Sequence, residues 1–355
     1  MAGIVERSQT LKREDLSDLL TVVDKRATGF MSTVKTGDAP RNSLLEWGVD
    51  SHKQNLVASA TYTSGVSNNL PIDGADTTAS DFENYDARER CRVYIQMMRR
   101  FPQVSRLADM TSDVAGVGFK QEMARSIVKA LEVHARDIES TLLSAQDTNA
   151  ETGSAPYQTR GVGKWISSSA QGVEPVPTNF RTPSSSIVTG KATTGTTNLA
   201  QEEDVRGILQ SIYEQTGETN KTFYGICGSE MKKTISEFSL FSPRTNNLVV
   251  SNRDTEDNVL ASAVDIIEGD FGTVTLTLSS HILQDARDSS NDFDPSVGQK
   301  TLFILNLEQF ELAFAEKTNV RELPDLGGGA RSLIESVFAL KSYSGGLDHG
   351  MYQLA

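Results

Sequence analysis

The chain has 355 residues and is 37% hydrophobic, so it can bury a core in two lobes or one large domain, and disorder throughout is disfavoured. Its net charge of −13, with 34 basic and 47 acidic residues, argues against tight nucleic-acid binding, because that affinity comes largely from lysine and arginine replacing phosphate counterions. Residues 1–9 lack the apolar core of a signal peptide and no apolar run approaches membrane-spanning length, so we expect a cytosolic protein with no membrane partner.

The first quarter of the chain predicts an arm followed by a long hairpin. The segment before Lys25 carries leucines that could form one short amphipathic helix. Strand patterns occupy 43–50, 56–62 and 88–98, and they enclose the stretch 61–85, which is rich in Thr, Ser, Asn, Gly and Asp. This polar stretch cannot form a core, so we expect the tip of a hairpin that reaches away from the body.

The strongest helix pattern covers residues 119–145. Apolar residues recur there at three- and four-residue steps and form one stripe: Phe119, Met123, Ile127, Leu131, Ala135, Ile138 and Leu142. A helix of this length predicts a structural backbone for the fold.

The middle of the chain predicts a small mixed lobe. After a loop at 146–153, the Ser/Thr/Pro/Gly-rich stretch 167–198 is expected at the surface. Helices are predicted at 201–215 and 229–238, the second with Ser229 as its N-cap, and a strand at 223–227.

The last quarter of the chain predicts strands. Residues 264–268 and 274–278 form a pair joined by 269–272, and further strands are predicted at 301–307, 310–315 and 332–343. We expect these closing strands to lie away from the mixed lobe.

This order of elements resembles the Hong Kong 97-type coat fold of tailed phages. Several short fragments, in their order and spacing, are similar to one phage major head protein family: Leu45-Glu46-Trp47 with Asp50, Asp137-Ile138-Glu139, Arg160-Gly161 before Trp165, Gly269-Asp270-Phe271-Gly272 leading to a strand that ends at His281, Leu302-Phe303-Ile304-Leu305-Asn306, and Phe310-Glu311-Leu312-Ala313. The similarity extends over nearly the whole chain.

The resemblance implies an α+β fold in five segments. These are an N-terminal arm (1–42), an extended beta hairpin loop (43–98), a peripheral domain with a long spine helix (99–160), a mixed axial domain with insertions (161–300), and closing strands of the peripheral domain with the C-terminus (301–355).

The implied function is that of a major capsid protein, whose pentamers and hexamers form an icosahedral shell around the double-stranded DNA of a phage. Its partners would be further copies of itself, a separate scaffolding protein, a portal and a decoration protein, with packaged DNA contacted only non-specifically. A scaffolding protein is expected because no long charged helical segment precedes the fold. We match no residues to the family's known covalent cross-link and predict none here.

Charged residues of the hairpin suggest how subunits could meet. Arg88, Arg90 and Arg92 alternate onto one strand face, and acidic residues precede them in the hairpin: Asp76, Asp81, Glu83 and Asp86. We expect complementary contacts with a neighbouring subunit, with a solvated charged strand as the equal alternative.

A search for catalytic, cofactor and metal sites predicts none of the three. The histidines His52, His134, His281 and His349 are dispersed without a ligand pair, and His134 is expected to be packed or hydrogen-bonded. Cys91 and Cys227 are expected to be buried free thiols.

Three further segments resemble known binding motifs without their spacing. Asp73, Asp76 and Asp81 lack the ligand periodicity of a calcium loop. In 161–164, Gly-Val-Gly-Lys lacks the phosphate-loop spacing, and 327–329 predicts a bend between strands. No cofactor is therefore expected. The alternatives are an encapsulin-like nanocompartment shell, a tail or connector protein, and an enzyme with scattered acids.

Overall fold

The computed structural model describes residues 28–51, 88–111, 122–193, 198–218, 221–238, 264–282 and 295–355. The predicted helix before Lys25, the strand at 56–62 and the polar tip lie outside the described residues. The helices are α1 (Gly29–Thr33), α2 (Arg106–Thr111), α3 (Glu122–Leu142), α4 (Val162–Trp165), α5 (Glu202–Thr216), α6 (Ser229–Phe238) and α7 (Pro295–Gln299). The strands are β1 (Lys35–Gly37), β2 (Leu44–Val49), β3 (Glu89–Tyr94), β4 (Gln96–Arg100), β5 (Ile187–Lys191), β6 (Lys221–Cys227), β7 (Ile266–Gly269), β8 (Gly272–Leu278), β9 (Thr301–Leu305), β10 (Phe310–Leu323), β11 (Arg331–Ser342) and β12 (Gly350–Leu354).

One sheet has four strands in the order β1, β10, β11, β4. β1 runs parallel to β10, and the other two pairs are antiparallel. β10 and β11 form a long hairpin that pairs Phe310 with Ser342 at its base and Leu323 with Arg331 near its turn. The two predicted strands are confirmed, although β10 continues eight residues past the predicted end at 315. Its extension mixes Val320 and Leu323 with charged and polar residues on both faces, so it lacks a strand-like alternation.

The long helix α3 packs against this sheet. The predicted helix is confirmed over Glu122–Leu142, and residue 119 lies outside the described part. Ile138 is buried in the core, as the apolar stripe predicts. His134 is also buried, and its Nε2 lies 2.7 Å from Ser336 Oγ on β11, so it is the hydrogen-bonded imidazole that was predicted. At 1.5 Å per residue, the 21 residues of α3 span about 31 Å.

A second sheet has six strands in the order β5, β12, β9, β6, β8, β7. The β5–β12 and β6–β8 pairs are parallel, and the other three are antiparallel. Helices α5 and α6 share a core with these strands, which includes Ile208, Phe223, Met231 and Ile304. The mixed lobe, its helices and the 264–278 hairpin are therefore confirmed.

The ends of α5 and α6 follow from local hydrogen bonding. At the start of α5 the Gln201 N–H donates to Asp204 Oδ2 at 3.0 Å, and Gly217 ends the helix with a φ of 67°. The first helical bond of α6 runs from Lys232 N–H to Gly228 O, so Gly228 is the N-cap and the prediction of Ser229 is wrong by one residue. A Cβ at Gly228 would lie 2.2 Å from Gly298 O, which excludes any larger residue there.

Two strands form a separate ribbon. β2 and β3 pair antiparallel from Leu44–Tyr94 to Val49–Glu89, and one residue, Ile95, links β3 to β4 of the four-stranded sheet. The ribbon buries one face against the body through Leu45, Val49, Cys91 and Val93. The predicted strands 43–50 and 88–98 are confirmed, but the second is divided between two sheets.

The prediction that the polar stretch 167–198 lies at the surface is confirmed only in part, because Ser168, Ser169 and Ala170, for example, are exposed, whereas other residues of the stretch are buried. The stretch contains β5 and buries Val176, Phe180 and Ser186. Its hydroxyl groups are hydrogen-bonded inside the protein: Thr182 Oγ1 donates to Gly346 O at 2.7 Å, and Ser186 Oγ donates to Ser211 Oγ at 2.8 Å. Buried serine and threonine look the same in sequence as exposed ones, because a partner elsewhere in the chain decides the difference.

The end of the chain does not lie away from the mixed lobe, and that prediction is also wrong. β12 pairs with β5 and β9, and β9 pairs with β6, so both belong to the six-stranded sheet. The segment 301–355 therefore contributes to both sheets. Strand patterns predict that a strand exists, but they do not specify its partner.

Candidate assembly surfaces and their anchors

The base of the ribbon is tied to the body by ion pairs within the subunit. Arg92 Nε lies 2.8 Å from Glu46 Oε1 across the ribbon, and Arg92 Nη1 lies 3.1 Å from Glu174 Oε2 on the body. Arg90 and Arg88 also have carboxylate partners, Glu46 at 3.5 Å and Asp50 at 3.4 Å. The three arginines were predicted to face a neighbouring subunit. Their acidic partners in the described residues belong to their own chain, and the acidic residues named for that contact lie outside the described part.

A buried arginine lies behind this base. Arg160 is fully buried, and its Nε donates to Asp147 Oδ1 at 3.1 Å. Its Nη2 donates to two carbonyl oxygens, Val173 O and Glu174 O, both at 2.7 Å. Burial lowers the pKa of Arg160, whereas the Asp147 carboxylate opposes that shift. The guanidinium therefore fixes the backbone that presents Glu174 to Arg92.

Two tryptophans complete the anchor. The Arg160 guanidinium lies 4.7 Å from the ring centre of Trp165, and the Trp165 ring lies 5.9 Å from that of Trp47 in β2. Cation–π and aromatic contacts of this kind stabilise by about 0.5–2 kcal/mol each. We call Arg160, Trp165 and Trp47 the ribbon anchor. Two sequence fragments that carried the family resemblance thus meet at one place.

Residues 28–37, which we call the strap, form a second anchored segment. The N–H groups of Phe30 and Met31 donate to the two carboxylate oxygens of Glu139, at 2.8 and 2.7 Å. Glu139 is fully buried on α3, and burial raises its pKa, an effect that the two backbone hydrogen bonds oppose. It satisfies donors that a helix leaves free in its first turn. β1 then pairs with β10, Lys35 opposite Glu311.

The strap reaches the junction between the two sheets. Phe30 packs edge-on against Phe310 with ring centres 6.1 Å apart, and Phe310 stacks on His349 at 4.5 Å. Burial lowers the pKa of His349 to about 3, so the imidazole is neutral near pH 7. Its Nδ1 accepts the Asn306 N–H at 3.3 Å. This histidine joins the sheets as a packed neutral ring.

An ion pair lies next to His349 at the junction between the two sheets. Lys221 Nζ lies 3.2 Å from Asp348 Oδ2 and 2.8 Å from Glu218 Oε2. Asp348 has a φ of 65°, a conformation that costs free energy for a residue other than glycine. These contacts hold the turn before β12.

The remaining residues singled out by sequence are dispersed. Cys91 and Cys227 are buried free thiols as predicted, and burial raises the pKa of each to about 11. His281 is buried in the six-stranded lobe, and His52 and the three aspartates 73, 76 and 81 lie outside the described residues. The segment 161–164 enters the short helix α4 and forms no phosphate loop. The glycines at 327–329 form the predicted bend between β10 and β11.

Among the described residues, no group of three or more His, Cys, Asp or Glu side chains is arranged to hold a metal ion. The predicted lack of catalytic and cofactor-binding residues stays a prediction. None of the described helices combines the length and apolar character that crossing a membrane requires.

Comparisons with known proteins point in one direction. A family model described as "SU10 major capsid protein" matches residues 4–343. No curated protein sequence matches the chain. The fold is similar to the capsid of cyanophage A-1(L), with a TM-score of 0.58, 11% identity and coverage of 99% of each chain. It is also similar to the capsid of a native GTA particle (TM-score 0.56, 12% identity, coverage 99% and 97%) and of Myoviridae phage XM1 (0.54, 12%, 100% and 99%). At sequence identities of 11% to 12%, the similarity to these structures establishes a shared fold.

Proposed function

Because the chain belongs to the SU10 major capsid protein family, we propose that its copies join as pentamers and hexamers into the icosahedral head shell around the double-stranded DNA genome of a tailed phage. The family match over residues 4–343 is the observation that carries this function. The protein is a shell-forming capsid protein of the phage virion, with the α+β coat fold of phage capsids. An encapsulin-like shell is not favoured, because the matched family is one of phage major capsid proteins.

The five segments take roles within this proposal. The strap is the part of the arm that is held to α3. The ribbon anchor holds the base of the extended hairpin, and the spine helix corresponds to α3. The four-stranded sheet with α3 is assigned to the peripheral domain in this proposal, and the six-stranded sheet with α5 and α6 is assigned to the axial domain. The last segment, 301–355, contributes strands to both sheets.

The protein's role is structural in this proposal, and assembly replaces catalysis as its function. A net charge of −13 favours weak, non-specific contact with packaged DNA, because like charge limits sticking. The partners beyond further copies of the chain are a scaffolding protein, a portal and a decoration protein.

The hairpin 43–98 is proposed to lie across a neighbouring subunit. Its base is held to the body, because Arg92 connects Glu46 in the ribbon to Glu174 on the body, and Trp47 packs on Trp165. Its polar tip has too few apolar residues to form a core of its own. Deleting residues 63–78 should leave a folded subunit that no longer closes shells. Normal particles from this deletion, seen by electron microscopy, would contradict the role of the hairpin.

Electron microscopy of the protein from its native source tests the proposal as a whole. Closed polyhedral particles that contain double-stranded DNA are expected. Particles that enclose only protein would favour a nanocompartment, and a small discrete oligomer or tubes would overturn the shell function.

A further inference from the structure

The long helix α3 is buried along only half of its length. Its buried residues all lie in its C-terminal half: His134, Ile138, Glu139 and Leu142. None of the described residues 122–133 is buried. The apolar stripe predicted from the sequence nevertheless continues through them, with Met123, Ile127 and Leu131. Because an amphipathic helix needs a partner for its apolar side, the N-terminal half of α3 lacks a complete cover among the described residues.

The uncovered part of α3 continues the side that holds the strap. Val128 is 42% exposed and precedes Glu139 by about three helical turns, or about 17 Å along the axis. The two residues therefore lie on the same side of the helix. Leu131 and Ala135 lie between them, within about 60° of the same line, and both are partly exposed. We call Val128, Leu131 and Ala135 the open α3 face.

The chain enters the described part of the protein beside this face. The N–H groups of Phe30 and Met31 donate to Glu139 at 2.8 and 2.7 Å, so the strap begins on the same side of α3. The residues before Thr28 must leave from this point. An extended chain from Val23 to Thr28 spans about 17 Å, at roughly 3.4 Å per residue, which matches the distance along α3 to the far end of the face.

The segment that precedes the strap has the pattern of a helix with one apolar side. Its apolar residues follow the spacing i, i+3, i+4, i+7: Leu16, Leu19, Leu20 and Val23. A helix this short is marginal in water unless another element covers its apolar side. Residues 16–23 would span about 12 Å as a helix, a length that fits along the open α3 face.

The charges on the two elements are complementary. Residues 14–24 contain four acidic side chains and no basic one: Glu14, Asp15, Asp18 and Asp24. One flank of the open α3 face carries three basic residues and one acidic residue: Arg125, Lys129, Arg136 and Glu132. Complementary charge favours this pairing of helices over a pairing of two like-charged surfaces.

We propose that residues 14–24 form a helix that packs on the open α3 face of its own chain. The short connection to the strap favours the same chain over a neighbouring copy, because a tether of this length gives an effective concentration in the millimolar range. The contact concerns a single subunit and does not depend on the proposed shell function.

Disulfide trapping in the full chain tests which surfaces meet. A variant with Leu20→Cys and Val128→Cys is oxidised with diamide, and the native Cys91 and Cys227 contribute little because both are buried with a pKa of about 11. Leu20→Cys combined with Lys129→Cys is the matched control, because Lys129 is also exposed but points about 100° away around the helix. We expect about five-fold more disulfide within one chain in the first variant, because the bond requires Cβ atoms about 3.5–4.5 Å apart.

Hydrogen exchange gives a second measurement that needs no cross-link. Leu20→Ser removes an apolar side chain from the proposed contact, whereas Val22→Ser removes one from the opposite side of the predicted helix. Amides 128–132 should exchange about five-fold faster in Leu20→Ser and unchanged in Val22→Ser, because covering a helix suppresses its local opening.

The outcomes distinguish the occupants of this face. Monomers that have lost two hydrogen atoms on oxidation, together with faster exchange in Leu20→Ser alone, support the contact within the chain. Disulfide-linked dimers on a non-reducing gel would assign the helix to a neighbouring copy and overturn it. Equal trapping in the two cysteine pairs, or unchanged exchange in Leu20→Ser, would overturn the contact altogether and leave the shell function intact.

Discussion

The anchors differ in chemistry from the exposed apolar residues near the turn between β10 and β11. Glu139 and Arg160 are fully buried charges whose hydrogen bonds end on groups of their own chain. Phe101, Leu107 and Leu326 are apolar and largely exposed. Buried charges are directional and costly to leave unpaired, so they fix segments within the subunit, whereas an apolar surface can be completed by a neighbour. The contrast separates segments that are fixed within the subunit from side chains that a neighbouring subunit can cover.

Removing the charge of the ribbon anchor should have the largest effect on the free subunit. Arg160→Ala removes the charged donor of Asp147, the Nη2 donor of the Val173 and Glu174 carbonyl groups and the contact with Trp165, so we expect a loss of about 3–5 kcal/mol in the free energy of unfolding. Urea unfolding measures it. Arg90→Ala, at a 65% exposed side chain, is the matched control and should cost about 0.5 kcal/mol or less. Equal losses in the two variants would remove the distinction between anchor and surface.

Removing the carboxylate under the strap comes next. Glu139→Ala leaves the N–H groups of Phe30 and Met31 unbonded, and we expect a loss of about 2–3 kcal/mol. Hydrogen exchange of these two amides should speed up. Glu139→Gln retains one acceptor and should lose less. Unchanged exchange at both amides in the alanine variant would show that Glu139 does not hold the strap.

Acid should weaken the junction between the sheets. His349 has a pKa near 3 in the folded protein and 6.5 ordinarily, so the folded state favours the neutral ring. Its contribution is complete above pH 6.5 and is lost as pH falls from 6.5 towards 3, about 2 kcal/mol between pH 7 and pH 5. Unfolding curves at several pH values measure the slope, which should be flatter in His349→Gln. Parallel profiles would assign the acid sensitivity to other groups.

The smallest effect on subunit stability should come from the exposed apolar residues. Changing Phe101, Leu107 and Leu326 to serine should alter the unfolding free energy by about 0.5 kcal/mol or less per site. Urea unfolding measures the change. A serine variant that is destabilised as strongly as Arg160→Ala would place its side chain among those that hold the fold.

Sequence reasoning predicted the elements well where the pattern is local. The apolar stripe at 119–145 predicted α3, because residues three and four apart share a face. It failed where partners are distant. The burial of Thr182 and Ser186 depends on hydroxyl contacts such as that of Thr182 with Gly346, and the position of β12 depends on pairing with β9.

The anchors lay in fragments that carried the resemblance, but their roles could not be predicted. Glu139 and Arg160 bond to the backbone groups of Phe30 and Val173. Every residue other than proline offers the same N–H and C=O groups, so such a partner leaves no signature in a sequence.

The pairing of β1 with β10 has a consequence for aggregation. An open strand edge is a template for another chain, and a growing shell brings many identical edges close together. The strap covers β10 only at Glu311, Leu312 and Ala313. Beyond that point β10 carries charged residues, including Lys317 and Glu322, and its register with β11 shifts between Phe314 and Asn319. Charge and irregular pairing both discourage a foreign strand from adding to the edge. Neighbouring subunits can therefore crowd together without merging their sheets.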